Sequence, residues 1–142
     1  MALKIIDHGS PEYLQMIQLR NEILRKPLGL SLTADELEKE KNDTLIAALD
    51  DDTMLGCCML VKTGPKDVLL RQIAVLNNLQ GKGVGRALLI FAETIARDQG
   101  FKSISMHARK TAIPFFEKLG YQIQGDEFEK IGIPHVIMGK TI

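Results

Sequence analysis

Residues Val68 to Arg86 read VLLRQIAVLNNLQGKGVGR, and this stretch decides the fold. It opens with an apolar run of strand length that ends at Leu76. After a short polar loop, Gly81, Gly83 and Gly85 lead into a strongly periodic amphipathic helix. Glycine backbone can approach a ligand closely, and the free amides of a helix's first turn point outward at its positive end. The stretch therefore predicts a site for a phosphate or pyrophosphate between a buried strand and a helix.

This glycine turn departs from two familiar phosphate motifs. A P-loop ends in Lys followed by Ser or Thr, and Gly81-Lys82-Gly83 breaks that order. A dinucleotide fingerprint needs glycine where Arg86 stands, and an acidic residue after the next strand, which Ser103 to Met106 does not provide. Lys82 and Arg86 still add positive charge at the rim of the turn. A turn that serves only as a connection remains the alternative interpretation.

The rest of the chain predicts one α/β domain over residues 1–142, because no linker, repeat or low-complexity segment interrupts it. A meander of antiparallel strands precedes the glycine turn, and helices alternate with strands after it, which indicates a mixed sheet covered by helices. The predicted strands are 3–7, 45–49, 54–61, 68–76, 102–107, 121–125 and 134–141. The predicted helices cover about 11–25, 34–41, 84–96 and 112–119.

Composition excludes several classes of protein. Lys plus Arg and Asp plus Glu both number 18, so a net charge of zero argues against nucleic acid or an anionic membrane as a partner. No apolar run reaches the ~20 residues of a membrane span, and Met1 to His8 carries no secretion signal. Cys57 and Cys58 point to opposite faces of a strand, so neither a disulfide nor a metal site is expected. These features predict a cytoplasmic protein without a bound metal.

Two motifs resemble those of the GNAT superfamily of N-acetyltransferases. Gln80, Gly83 and Gly85 match its pyrophosphate signature, which is Gln or Arg, two residues, Gly, one residue, then Gly or Ala. Ala112 to Tyr121 looks like the family's later block of Ala, two aromatics, Lys and Gly-aromatic. The final GIPHVIM, Gly132 to Met138, looks like one bacterial subgroup with a GIPHxxM stretch. The resemblance covers nearly the whole chain.

The resemblance implies a fold and a cofactor. The fold is a central mixed, mostly antiparallel sheet with splayed parallel fourth and fifth strands, flanked by about four helices. Acetyl-coenzyme A lies in the splay and pairs with the fourth strand like an added strand. One amide of that strand polarises the thioester carbonyl, and a primary amine attacks it directly with both substrates bound. The implied cofactor-binding residues are Ile73, Ala74, Val75, Gln80, Gly81, Lys82, Gly83, Val84, Gly85, Arg86 and Arg109.

The catalytic residues follow less directly from the resemblance. The family's usual acid is a tyrosine, and Phe116 stands at that position. A thiol with a pKa of about 8.5 is a fair leaving group without help. His107 and His135 are the candidates for proton transfer, with structural hydrogen bonds as the alternative for each. Glu22 and Arg25 are candidates for lining the acceptor site, as that region usually does in the family.

The acceptor stays open between small-molecule amines and protein amines. A non-catalytic acetyl-coenzyme A sensor or interaction module is the first alternative function, because Phe116 cannot donate a proton. An unrelated nucleotide-binding α/β domain is the second. A homodimer is also possible, with the strand Pro134 to Thr141 pairing as a sheet edge.

Overall fold

The structure is a computed structural model that describes all 142 residues. One eight-stranded sheet runs in the order β1-β2-β3-β4-β5-β8-β6, with β7 also paired to β8. The strands are β1 Ala2–Ile6, β2 Thr44–Asp50, β3 Thr53–Lys62, β4 Asp67–Val75, β5 Ser103–Arg109, β6 Gln122–Ile123, β7 Phe128–Lys130 and β8 Ile133–Thr141.

Four α-helices cover the sheet: α1 Pro11–Arg20, α2 Ala34–Lys39, α3 Val84–Asp98 and α4 Ile113–Lys118. Ser10 caps α1 by accepting a hydrogen bond from the Tyr13 amide, and proline follows in the first turn. Thr33 and Glu36 form a reciprocal capping box at the start of α2. No helix is both long enough and apolar enough to cross a membrane.

The sheet is antiparallel except between β4 and β5. Their parallel pairing runs only from Asp67 with Ser103 to Leu70 with Met106. Beyond that point neither strand has the other as a partner, although β4 continues to Val75. The predicted splay between the fourth and fifth strands is therefore present, and so is the mixed, mostly antiparallel architecture.

A bulge in β4 lies where the splay begins. Cys57 of β3 is opposite Ala74 while Met59 is opposite Arg71, so two residues of β4 face one of β3. Gln72, inside the bulge, has a φ of 56°, in the left-handed region that non-glycine residues rarely adopt. Because a bulge bends its strand and increases its twist, it directs the end of β4 away from β5.

Two apolar cores cover the two faces of the sheet. The larger packs α3 and α4 against residues such as Cys58, Leu70 and Met106. The smaller packs α1 against residues such as Cys57. The two free thiols therefore point to opposite faces, as the alternation of strand side chains predicted. Both are fully buried, and burial raises the pKa of Cys57 to about 12.

Several predicted boundaries were wrong. The first helix ends at Arg20, and one π-helical turn, Asn21–Arg25, replaces its predicted end. The short strand Phe128–Lys130 was missed, and the predicted strand 121–125 shrinks to Gln122–Ile123. Pro134 to Thr141 was predicted as a sheet edge, but β8 pairs with β5 on one side and with β6 and β7 on the other. Those pairings satisfy its backbone, so β8 cannot also pair with a second chain.

Candidate functional site

A cavity of about 710 Å³ opens where β4 and β5 separate. It passes through the sheet and is lined from both of its faces. One side is formed by the glycine turn, the start of α3 and the aromatic residues of α4. The other side is formed by the π-helical turn, the outer face of β5 and the β7–β8 hairpin. A single cavity therefore joins two differently built half-sites, defined here as the glycine-turn side and the hairpin side.

The end of β4 offers unpaired backbone to this cavity. The Leu76 amide donates to the Leu55 carbonyl on the β3 side. The Ala74 carbonyl also lies on that side, 3.0 Å from where a side chain on Gly56 would begin. Because backbone groups alternate along a strand, Ile73 and Val75 direct theirs toward the gap. The predicted backbone contacts are therefore better placed at Ile73 and Val75 than at Ala74.

The glycine turn is shaped for close approach by a ligand. Gly81 and Gly83 have φ values of 80° and 92°, which only glycine adopts freely, and the space beside each is open. Their amides donate no hydrogen bond to the protein. Gly83 is the N-cap of α3 and supplies no side-chain cap, so the first-turn amides of α3 also remain available. The turn thus presents several free donors at the positive end of a 15-residue helix.

The remaining residues of the turn have different roles. The Gln80 side chain donates to the Val75 carbonyl and to the Asn77 side-chain oxygen, both at 3.2 Å, and so holds the turn against the end of β4. Arg86 lines the cavity. Lys82 is exposed and does not line it, and the Val84 side chain packs into the larger core. Of the Val84 groups, only the backbone amide remains available to a ligand.

His107 lies on the hairpin side of the cavity. Its ring meets the Phe128 ring edge-on at 5.4 Å between centroids, and its nitrogens make no hydrogen bond within the protein. Burial, followed by the charges of Lys130, Arg71 and His135, holds its pKa below the usual 6.5. At neutral pH the ring is therefore uncharged and able to accept a proton.

His135 is more constrained than His107. It is buried, its Nδ1 lies 2.7 Å from the Ile133 carbonyl, and its ring stacks on Phe128 at 5.9 Å. A carbonyl oxygen only accepts, so Nδ1 carries a hydrogen and Nε2 is the nitrogen left for other contacts. The structural role that the sequence left open for this histidine is thus present, although the residue also lines the cavity.

Phe116 and Arg109 both line the cavity, whereas Tyr121 does not. Phe116 is buried and packs edge-on against Phe115 at 5.1 Å, so no proton donor stands at this point of the wall. The Tyr121 hydroxyl is buried and donates to Glu93 at 2.7 Å. That bond and the burial of the side chain remove Tyr121 from the proton chemistry of the site.

Sequence reasoning missed Arg71 and Lys130, which line the hairpin side beside Arg25. Arg25 and Glu22 were both candidates through the family resemblance, and of the two only Arg25 lines the cavity. Arg71 lay within the quoted stretch, but the alternation of its strand did not show that it faces the hairpin side. Lys130 belongs to a three-residue strand that gives no periodic signal. No three His, Cys, Asp or Glu side chains group as metal ligands.

Comparisons with known proteins agree with this geometry. Residues 21–142 match the family model of an acetyltransferase (GNAT) domain. Over 73 residues the chain is 38% identical to the uncharacterized protein YyaT of Bacillus subtilis (strain 168), covering 51% of this chain and 49% of YyaT. Over 72 residues it is 36% identical to the uncharacterized N-acetyltransferase YjcF of the same organism, covering 50% of this chain and 51% of YjcF. The chain thus spans about half the length of the curated relatives it matches.

Solved structures share the whole fold. A candidate N-acetyltransferase from Lactobacillus plantarum superposes with a TM-score of 0.86 at 26% identity, covering 99% of both chains. An aminoglycoside 6'-N-acetyltransferase complexed with coenzyme A gives a TM-score of 0.84 at 20% identity, covering 99% of this chain and 97% of that one. At 20% identity, the likeness to the aminoglycoside 6'-N-acetyltransferase concerns the fold alone.

Proposed function

The chain belongs to the GNAT acetyltransferase family, and on that premise we propose that it transfers the acetyl group of acetyl-coenzyme A to a primary amine. The acceptor is a small molecule or a protein amine. The observation that carries the proposal is the joining of two half-sites in one cavity: free backbone donors on the glycine-turn side and a proton acceptor on the hairpin side. Transfer requires both substrates to meet, and the cavity gives them one place to do so.

The residues on the glycine-turn side fit acetyl-coenzyme A. The amides of Gly81, Gly83 and the first turn of α3 bind the pyrophosphate, with Arg86 and Arg109 adding positive charge. Ile73 and Val75 pair with the pantetheine arm, which takes the place of a strand in the gap. The Val75 carbonyl already accepts from Gln80, so its amide and the Ile73 groups are the free partners. An aimed amide in this position polarises the thioester carbonyl.

The hairpin side supplies the proton acceptor. His107 is neutral at pH 7 and takes a proton from the acceptor ammonium, directly or through a water. The amine nitrogen then bonds to the acetyl carbon as the carbon–sulfur bond breaks. The thiolate leaves without a protein acid at Phe116, which is chemically acceptable because a thiol has a pKa of about 8.5. His135 is the second candidate for this transfer, because its Nδ1–H donates to the Ile133 carbonyl and its Nε2 stays free to accept a proton.

The experiment is thermal unfolding with acetyl-coenzyme A, coenzyme A, ATP and NAD, on the wild type and on Gly83→Asp. Acetyl-coenzyme A at about 100 times its dissociation constant adds ~2.7 kcal/mol to the free energy of unfolding, which raises Tm by several degrees. The Gly83→Asp side chain places negative charge at the pyrophosphate site, so the shift is lost. Gly100→Asp is the matched control, because Gly100 has a φ of 89°, close to the 92° of Gly83, and does not line the cavity.

Stabilisation by the two coenzyme A species alone, lost in Gly83→Asp and kept in Gly100→Asp, supports the proposal. A wild-type protein that neither species stabilises at millimolar concentration contradicts it. Phe116 favours the second candidate function, a coenzyme A-binding module without transfer activity. That alternative predicts the same stabilisation with no release of free thiol from acetyl-coenzyme A in the presence of a wide panel of amines.

Two finer assignments belong to the same proposal. We place the chain in a bacterial subgroup that shares the stretch Gly132 to Met138, whose His135 lines the cavity. We also propose a cytoplasmic location, supported by the two unpaired thiols. A homodimer stays a prediction, and because β8 is an internal strand we expect any dimer interface to use another surface.

A further inference from the structure

Three cations converge on the hairpin side of the cavity. Arg25 comes from the π-helical turn, Arg71 from β4 and Lys130 from β7, so the fold rather than local sequence brings them together. The chain as a whole has a net charge of zero. This local excess of positive charge therefore does not reflect a general basic character of the protein.

No carboxylate balances this excess within the cavity. None of the lining residues is Asp or Glu. Arg25 pairs with Glu36 at 2.8 Å, but Arg71 and Lys130 have no carboxylate oxygen within 4.0 Å. Asp43 is a carboxylate that senses the Arg71 charge, which opposes the rise in the Asp43 pKa caused by burial. It lies beyond ion-pair distance from Arg71 and does not line the cavity. Two cations on this side therefore lack a counter-charge in direct contact.

The cations also act on one another. Burial lowers the pKa of Lys130 first, and the charges of Arg71 and Arg25 lower it further. Arg71 and Lys130 likewise contribute to the low pKa of His107. Like charges held together in a partly desolvated site are unfavourable when nothing negative lies between them. An anion bound on the hairpin side would remove that repulsion.

We propose that the acceptor is a small primary amine that carries an anionic group, a carboxylate or a phosphate, close to its amino group. This assignment rests on the proposed function and specifies its substrate class. Arg71 and Lys130 bind the anion through charge-assisted hydrogen bonds, and His107 beside them receives the ammonium proton. A polyamine or an aminoglycoside brings several positive charges and no anion, so the same residues reject it.

The test compares amines with and without the anion, and each rate is expressed per concentration of free amine, because the anion also changes the pKa of the amino group. Glycine is paired with glycinamide and O-phosphoethanolamine with ethanolamine, and spermidine represents the polycations. Thiol release from acetyl-coenzyme A gives kcat/KM for each amine, and calorimetry on coenzyme A-saturated protein gives its dissociation constant. The same measurements are made on Arg71→Gln, Lys130→Gln and the control Lys62→Gln, whose exposed lysine in β3 lies outside the cavity.

We expect at least one anionic amine to exceed its neutral partner tenfold or more in kcat/KM or in affinity. Arg71→Gln and Lys130→Gln each reduce that preference tenfold, mainly through KM, while Lys62→Gln preserves it. A preference for carboxylate over phosphate, or the reverse, identifies the anion. Equal or better use of the neutral amines or of spermidine, or no binding of any anionic amine, overturns the inference. Stabilisation by acetyl-coenzyme A together with thiol release on a neutral amine or spermidine shows that the proposed function survives that outcome, whereas the absence of stabilisation means that the proposed function itself has failed.

Discussion

His107 shows how a single residue acquires its chemistry from the fold. The sequence placed it at the end of a strand beside the splay, and the structure places it two residues before the end of β5, on a cavity wall. What the sequence could not supply is its electrostatic environment, because Arg71 and Lys130 come from two other strands. Phe116 is the opposite case: its position and its inability to donate a proton were both evident from the motif alone.

The low pKa of His107 leads to a pH prediction. The base form is lost as pH falls through a pKa below 6.5, so kcat/KM should stay high at pH 7 and decline only in the more acidic range. Lys130→Gln removes one of the charges that lower this pKa, so the acidic limb should move to higher pH. The pH–rate profile checks both. A His107→Gln variant with an unchanged profile would exclude His107 as the base.

The β7–β8 hairpin is the element that sequence reasoning missed, and its turn explains why. Ile131 and Gly132 connect the paired residues Lys130 and Ile133, with φ values of 54° and 71°. Two positive φ values in a two-residue loop indicate a type I′ turn, for which Asn-Gly is the usual sequence. A β-branched residue in that position conceals the hairpin signal. Since Ile131 lines the cavity, its strain is retained at a candidate site, where strained backbone is often found.

Relieving this strain should separate stability from activity. Ile131→Asn should raise the free energy of unfolding by ~1 kcal/mol, because a β-branched residue is disfavoured at positive φ and asparagine is not. It should also raise the KM for the acceptor, since an apolar contact on the hairpin side is lost. Chemical denaturation and steady-state kinetics measure the two effects. Ile90→Asn, on an exposed position of α3, serves as the control and should be slightly destabilising; a loss of stability in Ile131→Asn would refute the strain argument.

At the scale of the whole molecule, a buried ion pair ties the hairpin side to the rest of the fold. Arg20, at the end of α1, makes two hydrogen bonds to the Glu40 carboxylate, which follows α2, at 2.5 and 3.0 Å. Tyr13 donates to the same carboxylate at 2.6 Å. Arg20 lies immediately before the π-helical turn that carries Arg25, and Glu40 lies immediately after α2. The pair therefore fixes both ends of the segment that forms one wall of the cavity.

Removing one partner of this pair should be costly. Arg20→Met leaves the Glu40 carboxylate buried without its counter-ion, and we expect a loss of ~3–5 kcal/mol in the free energy of unfolding. The double variant Arg20→Met with Glu40→Leu should recover much of that loss, because both charges are then absent. Urea denaturation of the single and double variants measures the difference. Equal destabilisation in both would show that packing, rather than the unpaired charge, accounts for the effect.

The sequence predicted the meander, the glycine turn and the order of helices and strands, because each depends on local periodicity or on turn residues. The splay itself was expected only through the family resemblance. Its physical cause, the bulge at Gln72, gives no local signal, since glutamine is not a residue that favours positive φ. The same holds for the cation cluster, which exists only after three distant segments have come together.

The short run of paired residues between β4 and β5 has one more consequence. The two halves of the sheet are paired through β4 and β5 only where Asp67 to Leu70 lies against Ser103 to Met106. The cofactor is proposed to fill the gap beyond these pairs. Such a ligand completes the protein's own secondary structure as well as supplying its reactive group. The stability of the sheet would then increase when that ligand binds. Without that ligand the gap between β4 and β5 would open more readily, and proteases would cut the chain faster.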